Sequence, residues 1–421
     1  MKRYIISLAI LLVTAAFADG QTKIYWVHGF RNNETPLWDS YKNALTSEEN
    51  RGTNVAWGMD EHLQDAADRL NALIESEVPE GDRAIVFGHS AGGLVSRAAA
   101  AVPGNRIRAV ITAGSPNHGA GFARAARNDS ANEFVTKTLR RIEHSLSLSV
   151  QAGASLSPEA GRAVIVLIAS STSLGEKIAE LLGGVLIDLL KDIFEKKNAV
   201  ADMDPDNSAF LEKLNGTAPT VPLINIYSVE DSPRVIRLIG TMLHKKESDS
   251  PENTTDKCFD ESVIPVYNGI INTCATFATL HRAAAATTSV LGRFIPSYMA
   301  SSALNTSAAD AWSESMRYLQ YDLQNDWDSI IGAAHLEKSE NWSGVLGKRK
   351  CTVSYVTVYE DSDAFIPNRS SIISEDFGPD TRNYGITGVN HVEMHSHPKM
   401  RQILKDIYAG KYGPEFNPNN K

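Results

Sequence analysis

The sequence is poor in cysteine, which restricts the metal and disulfide chemistry that the chain can support. Its 421 residues include only Cys258, Cys274 and Cys351. No Cys-x-x-Cys pair or Cys/His spacing indicates a metal site, so no metal is expected. Three is an odd number, so in an oxidising compartment we expect one disulfide and one buried free thiol. Cys258 and Cys274 are the predicted pair, because they would close a short loop.

Positive charge is also scarce. Lysine and arginine together number 41 against 50 aspartates and glutamates, which gives a formal net charge of −9. An acidic surface of this kind argues against nucleic acid as a partner. It also argues against adsorption to anionic membranes by charge alone. We therefore expect no nucleic-acid partner, and any contact with a lipid surface to be transient.

The N-terminus carries a short apolar run that has the features of a processing segment. Lys2 and Arg3 precede apolar residues from position 5 to 17, and Ala16-Phe17-Ala18 fits a cleavage site. The run is too short for a comfortable membrane span. We predict that residues 1–18 form a signal peptide and that the mature protein is secreted or periplasmic, in a bacterium.

Strand and helix patterns alternate between residues 22 and 113. Short β-branched and apolar runs predict strands at residues 22–27, 54–57, 84–87 and 107–112. Between Glu61 and Val78, apolar residues recur at steps of three and four, which predicts an amphipathic helix. Because strands alternate with helices, we predict an α/β fold with a mostly parallel central sheet flanked by helices.

Two insertions interrupt the predicted core. Residues 123–200 show helical patterns with almost no strand signal, and residues 245–345 are polar and partly helical. The predicted core therefore comprises residues 19–122, 201–244 and 346–421, with 123–200 as a largely helical cap or lid. Within that cap, residues 161–195 fit either a buried helical hairpin packed on the sheet or a lid over the pocket.

Strand character returns twice after the first insertion. One predicted strand covers residues 221–227, and another, at 351–359, is expected to be the last strand of the sheet. A closing helix is predicted from about Pro398 to Tyr408.

A strand, a tight turn and a helix follow one another around Ser90. The apolar run 84–87 leads into Gly88-His89-Ser90-Ala91-Gly92, and residues 94–100 have a helical pattern. A G-x-S-x-G turn between a strand and a helix is typical of a nucleophile elbow, in which the serine oxygen is exposed on a strained backbone. Side chains at either glycine would clash with the neighbouring elements. Ser90 is therefore the candidate nucleophile.

A serine nucleophile needs a base and a carboxylate, and both occur later in the chain in a suitable order. Asp363 follows the predicted strand 351–359, and His391 lies in the loop before the closing helix. We predict Ser90, Asp363 and His391 as a catalytic triad. Asp231 and Asp361 are the alternative acids, and the nearby residues His395 and His397 are the alternative bases.

Five short motifs resemble those of the lipase-like branch of the α/β-hydrolase family. They are His28-Gly29-Phe30, Gly88 to Gly93, Gly114-Ser115-Pro116-Asn117-His118-Gly119, Asp363 to Pro367, and Asn390-His391. Lipases of this type carry similar elements in the same order. The resemblance covers roughly residues 22–122, 220–232 and 350–410, and it is weak or absent in the insertions.

The resemblance implies an α/β-hydrolase fold and a serine esterase or lipase that needs no cofactor. It also implies an oxyanion hole formed by the backbone N–H groups of Phe30 and Ala91. The expected substrate is an ester or lipid. The alternatives are another acyl hydrolase on the same fold (a polyester depolymerase, a thioesterase or a deacylase of a glycolipid or cell-wall ester) and an inactive binding module.

Overall fold

The strands and helices are described from a computed structural model over residues 22–29, 38–47, 50–58, 60–155, 197–230, 234–238, 241, 264–345, 348–378 and 380–420. The strands are β1 Ile24–Val27, β2 Arg51–Val55, β3 Ala84–His89, β4 Ile107–Ala113, β5 Leu223–Val229, β6 Ala334–Val345, β7 Lys348–Tyr359 and β8 Thr381–Thr387. The helices are α1 Asp39–Leu45, α2 Leu63–Glu77, α3 Ala91–Ala101, α4 Gly121–Arg127, α5 Ser130–Ala154, α6 Asn198–Asp202, α7 Ala209–Asn215, α8 Ile264–Gly292, α9 Ser297–Arg317, α10 Leu323–Ile331, α11 Asn368–Ser371 and α12 Pro398–Tyr408.

The central sheet has six strands in the order β2-β1-β3-β4-β5-β8, and every neighbouring pair is parallel. The predicted parallel sheet flanked by helices is therefore confirmed. In a parallel sheet the carboxyl ends of all strands lie at one edge, so the loops after β1, β3 and β5 meet there. That edge is where side chains from distant parts of the sequence can come together.

Both faces of the sheet are covered by buried apolar side chains. On β1, Tyr25 and Val27 belong to a cluster that includes residues of α2 and α3, whereas Ile24 and Trp26 belong to a second cluster with residues of α1 and α12. Strands that are buried on both faces have continuous apolar runs rather than alternation. This explains why the strands near the N-terminus were recognisable from sequence.

The strand predicted at residues 351–359 exists but does not belong to the central sheet. It is part of β7, which pairs antiparallel with β6 in a separate two-stranded hairpin. The sixth strand of the central sheet is β8, which pairs with β5. β8 lies at the edge of the sheet and is only partly buried, so its sequence lacks an apolar run. An isolated hairpin strand has the same β-branched pattern as a sheet strand, and sequence periodicity does not separate them.

The insertions contain long helices. α5 is a continuous helix of 25 residues, in agreement with the helical pattern predicted after residue 123. α8 and α9 form an antiparallel helical hairpin in which Phe277 and Trp312 stack at 5.0 Å. Both the predicted signal peptide, 1–18, and the stretch 161–195 lie outside the described residues. Within the described ranges, no helix combines the length and apolarity needed to cross a membrane.

Cys274 is a free thiol in the structure, which contradicts the predicted Cys258–Cys274 disulfide. Its side chain lies on the buried face of α8 within the main apolar cluster, where it packs as a small apolar group. Burial raises the pKa of this thiol to about 12. Cys258 lies outside the described residues.

Candidate active site

The turn between β3 and α3 has the strained geometry expected of an elbow. Ser90 has φ 54° and ψ −131°, a backbone conformation that is uncommon for any residue with a side chain. The turn is closed by two close backbone approaches. A Cβ on Gly88 would lie 2.3 Å from the carbonyl oxygen of Gly92, and a Cβ on Gly92 would lie 2.4 Å from that of His28. Only glycine fits either position.

Three residues proposed from the sequence meet at the carboxyl edge of the sheet. His391 Nε2 lies 3.0 Å from Ser90 Oγ, and His391 Nδ1 lies 2.7 Å from Asp363 Oδ2. Their exposed fractions are 5% for Ser90, 1% for Asp363 and 7% for His391. Because a carboxylate only accepts hydrogen bonds, Nδ1 carries the proton and Nε2 accepts from the serine hydroxyl. This arrangement can draw a proton from Ser90.

The two alternative histidines have other roles in the same loop. His395 Nδ1 hydrogen-bonds to the carbonyl oxygen of Val392 at 2.9 Å. His397 caps α12 by accepting a hydrogen bond from the backbone N–H of Lys399 at 3.2 Å. His391 is therefore the histidine that lies between the serine and the carboxylate.

Asp363 reaches this edge through a connection that the sequence did not indicate. The backbone N–H of Glu230, directly after β5, donates to the carbonyl oxygen of Ser362 at 2.8 Å. The intervening chain, which includes α8 to α10 and the β6–β7 hairpin, therefore leaves and returns at the same point. As a result, Asp363 lies at the carboxyl end of β5, although β7 precedes it in sequence.

The other candidate acids are placed differently. Asp361 has an exposed side chain that lies 3.7 Å from the guanidinium of Arg234. Asp231 lies outside the described residues.

The loop that carries Asp363 holds its carboxylate in a fixed orientation. Oδ1 accepts hydrogen bonds from the backbone N–H groups of Phe365 at 3.0 Å and Ile366 at 2.6 Å, which leaves Oδ2 for the histidine. Ala364 has a positive φ of 71°, and its carbonyl oxygen accepts from Trp327 Nε1 at 2.7 Å. Trp327, from α10, thus supports the turn, and no sequence motif indicated this contact.

The structure describes one of the two expected oxyanion donors, Ala91. Ala91 is the first residue of α3, where backbone N–H groups have no partner within the helix and the helix dipole favours negative charge. Phe30 lies outside the described residues. Its neighbour Gly29 lies beside the elbow, since a Cβ there would be 2.7 Å from the Cβ of Ser90.

His28 organises the loop after β1 by hydrogen bonding. Its Nδ1 lies 2.7 Å from the carbonyl oxygen of Gly29, and its Nε2 accepts from the backbone N–H of Trp57 at 3.2 Å. The two rings stack at 5.7 Å with an interplanar angle of 4°. Burial lowers the pKa of His28, although the hydrogen bond to Gly29 partly opposes the shift. The ring is therefore neutral at pH 7, in agreement with one donating and one accepting nitrogen.

A buried ion network anchors the loop that carries His391. Arg237 Nε lies 2.7 Å from Glu230 Oε2, and its Nη2 lies 3.1 Å from Glu393 Oε2. Asn390, which precedes the histidine, donates through Nδ2 to Thr241 Oγ1 at 2.9 Å. All three charged side chains are almost completely buried. The network links the end of β5 to the histidine loop, and only Glu393 lies near a recognisable motif.

No group of three or more histidine, cysteine, aspartate or glutamate side chains in the described part of the chain is arranged to hold a metal ion.

The sequence is similar to one protein family over part of its length. Residues 56–174, just over a quarter of the chain, match the PGAP1-like alpha/beta domain. Comparison with curated proteins finds no match.

Several solved structures resemble the fold loosely. The Bacillus licheniformis lipase BlEst2 is 16% identical, with 54% of this chain and 74% of that chain covered and a TM-score of 0.31. The phospholipase PlaB from Legionella pneumophila is 14% identical, with 51% and 41% covered and a TM-score of 0.30. A lipase-esterase related protein from Clostridium acetobutylicum is 15% identical, with 50% and 75% covered and a TM-score of 0.24.

The topology of the central sheet and the family match together identify the fold. A parallel six-stranded sheet covered by helices has a strained serine turn directly after its central strand β3. The matched segment, 56–174, contains that turn. The protein therefore has an α/β-hydrolase fold, as its sequence motifs predicted.

Proposed function

We propose that the protein is a secreted serine hydrolase that cleaves carboxylic esters, with acyl lipids as the first substrate class. One observation supports this most directly: Ser90, His391 and Asp363 form a single hydrogen-bonded line, with contacts of 3.0 and 2.7 Å, on a strained turn. Burying a histidine–carboxylate pair costs free energy of desolvation. A turn that served only to connect β3 to α3 would not need it.

In the proposed reaction, His391 Nε2 takes the proton of Ser90 as the serine oxygen attacks the ester carbonyl. Asp363 holds the ring and stabilises the imidazolium that forms. The N–H groups of Ala91 and Phe30 donate to the developing oxyanion, each contributing about 3 kcal/mol in the transition state. The carbon–oxygen bond then breaks, and the alcohol leaves with the proton from His391. Water, activated by the same histidine, attacks the acyl-enzyme and frees Ser90.

The proposal is tested by hydrolysis of p-nitrophenyl esters from acetate to palmitate, with Ser90→Ala as the matched variant. We expect activity in the wild type and its loss in the variant. A rise in rate towards long chains indicates a lipase, and activity confined to short chains indicates an esterase. Full activity of Ser90→Ala would show that the mechanism is wrong.

A serine-directed phosphonate distinguishes the alternatives if no ester is cleaved. Labelling of Ser90 without ester hydrolysis would indicate a different acyl substrate, such as a thioester or a polyester. Absence of labelling would indicate an inactive binding module.

Secretion is part of the proposal and has its own test. Removal of residues 1–18 should leave an N-terminus near Asp19 in protein recovered from the periplasm or the medium. Retention of the intact N-terminus in the cytoplasm would contradict it.

A further inference from the structure

The turn between α8 and α9 exposes a cluster of apolar side chains. Phe294 is 81% exposed, and its neighbours in the cluster are between 40% and 57% exposed. We call this cluster the apical patch; its members are Val290, Leu291, Phe294, Ile295 and Met299. Lower down, the two helices are held together by Phe277 stacking on Trp312 and by His281 hydrogen-bonding to Asn305 at 2.9 Å.

The size of the apical patch limits what it can bind. Its exposed apolar area is roughly 500 Å², judged from the size of such side chains and their exposed fractions. Scattered apolar residues on a soluble surface need no explanation, but a contiguous patch of this size indicates an interaction site. A stable contact with a second copy of the chain generally needs about 800 Å² from each partner, which this apex does not supply.

The charge around the apical patch differs from that of the rest of the chain. The sequence has 50 acidic residues, yet residues 262–309, which include all of α8 and the first part of α9, contain none. Arg293 is exposed in the middle of the patch. The end of α5 lies alongside, since Ser155 hydrogen-bonds to Ser301 at 2.9 Å, and residues 144–155 also lack a carboxylate. The surroundings of the apical patch therefore lack the negative charge with which the rest of the acidic chain would repel anionic lipid.

We propose that the apical patch docks on the surface of a phospholipid bilayer. Phe294 and Ile295 enter the boundary between headgroups and acyl chains, and Arg293 lies among the headgroup phosphates. Apolar side chains buried to this depth, together with a cation and no carboxylate, are what such a surface binds. Docking would bring the proposed esterase to lipid substrates, and this benefit rests on the proposed function. Docking itself does not depend on catalysis.

The test is sedimentation of the full chain with vesicles in the Ser90→Ala background, so that no lipid is hydrolysed. The vesicles are phosphatidylcholine alone, and phosphatidylcholine with about one-fifth phosphatidylglycerol. The variant is Phe294→Ser with Ile295→Ser. The matched control is Leu336→Ser with Tyr355→Ser, two side chains that are similarly exposed on the β6–β7 hairpin.

We expect binding to both vesicles, and a loss of about tenfold or more in the partition coefficient for the apical variant but not for the control, because its apolar area is removed. Arg293→Gln should weaken binding only to vesicles that contain phosphatidylglycerol. No binding by the parent protein, or equal binding by the apical variant, overturns the proposal.

Measurements of oligomeric state and of unfolding temperature would show whether something other than a bilayer covers the apical patch. A dimer that the apical variant converts to a monomer, without vesicle binding, would assign the patch to a second copy. A lower unfolding temperature in the apical variant, without vesicle binding, would show that the chain itself covers the patch. Because these measurements need no hydrolysis, failure of the esterase assay leaves them interpretable.

Discussion

Replacing Asp363 by asparagine should abolish most activity while leaving the fold intact. The amide oxygen of the new side chain can still accept from the two backbone N–H groups of the turn, so the loop keeps its hydrogen bonds. At the position of Oδ2, however, an amide NH₂ would face His391 Nδ1 at 2.7 Å. A donor there favours the tautomer that carries its proton on Nε2, and that nitrogen then cannot accept from Ser90.

The expected loss in kcat is about 10⁴, which corresponds to about 5.4 kcal/mol of transition-state stabilisation. The assay is hydrolysis of the best p-nitrophenyl ester, with the unfolding temperature measured in parallel. Asp361→Asn is the matched control, since this neighbouring carboxylate is exposed and lies beside Arg234 rather than His391. A folded Asp363→Asn variant that kept more than about one-tenth of wild-type kcat would refute the reasoning.

Three further changes test other parts of the site. Gly88→Ala should destabilise the protein by about 1–3 kcal/mol or more in denaturant unfolding, because the new Cβ would lie 2.3 Å from a backbone oxygen. As a control, Gly269→Ala on α8 should be neutral or stabilising by up to about 1 kcal/mol, because a Cβ there meets open space. Arg237→Met should cost about 3–5 kcal/mol and lower kcat, since it removes the buried cation that pairs with Glu230 and Glu393. As a control, Arg69→Met should cost no more than about 1 kcal/mol, because Arg69 is exposed and pairs with a glutamate near the surface. The pKa of His28 is lower in the folded protein than in the unfolded chain, so at acidic pH the unfolded chain takes up a proton that the folded chain does not. The contribution of His28 to stability should therefore be complete above pH 6.5 and decline below it. His28→Asn should reduce this decline in thermal melts.

The part of the fold around the elbow was predictable because its signals are local. The continuous apolar run of β3 and the G-x-S-x-G turn follow one another directly in the sequence, although Gly92 also lies against the carbonyl oxygen of His28 in the loop after β1. The later strands were harder to assign. β7 has a strong strand pattern but forms a hairpin with β6, and β8 has a weak one but completes the sheet. Which strand pairs with which depends on tertiary contacts, and sequence periodicity does not report these contacts.

The buried support of the site was not predictable from any motif. Glu230 and Arg237 lie close together in sequence, but Glu393 is 156 residues beyond Arg237 and meets it because β8, the strand before the histidine loop, pairs with β5. Trp327 reaches the acid loop from α10 in the same way. Single charged or aromatic residues give no pattern, since their roles depend on which distant segment packs against them.

By itself, the sequence determined the class of the fold, the candidate nucleophile and the order in which serine, carboxylate and histidine follow one another. These depend on backbone geometry over short stretches, where glycine, apolar periodicity and β-branching act directly. Tertiary structure alone decided which aspartate and which histidine line up with Ser90. That choice requires Ser362 to bond to Glu230 across the second insertion, and His391 to lie within 3.0 Å of the serine. Such distances are set by packing between remote segments.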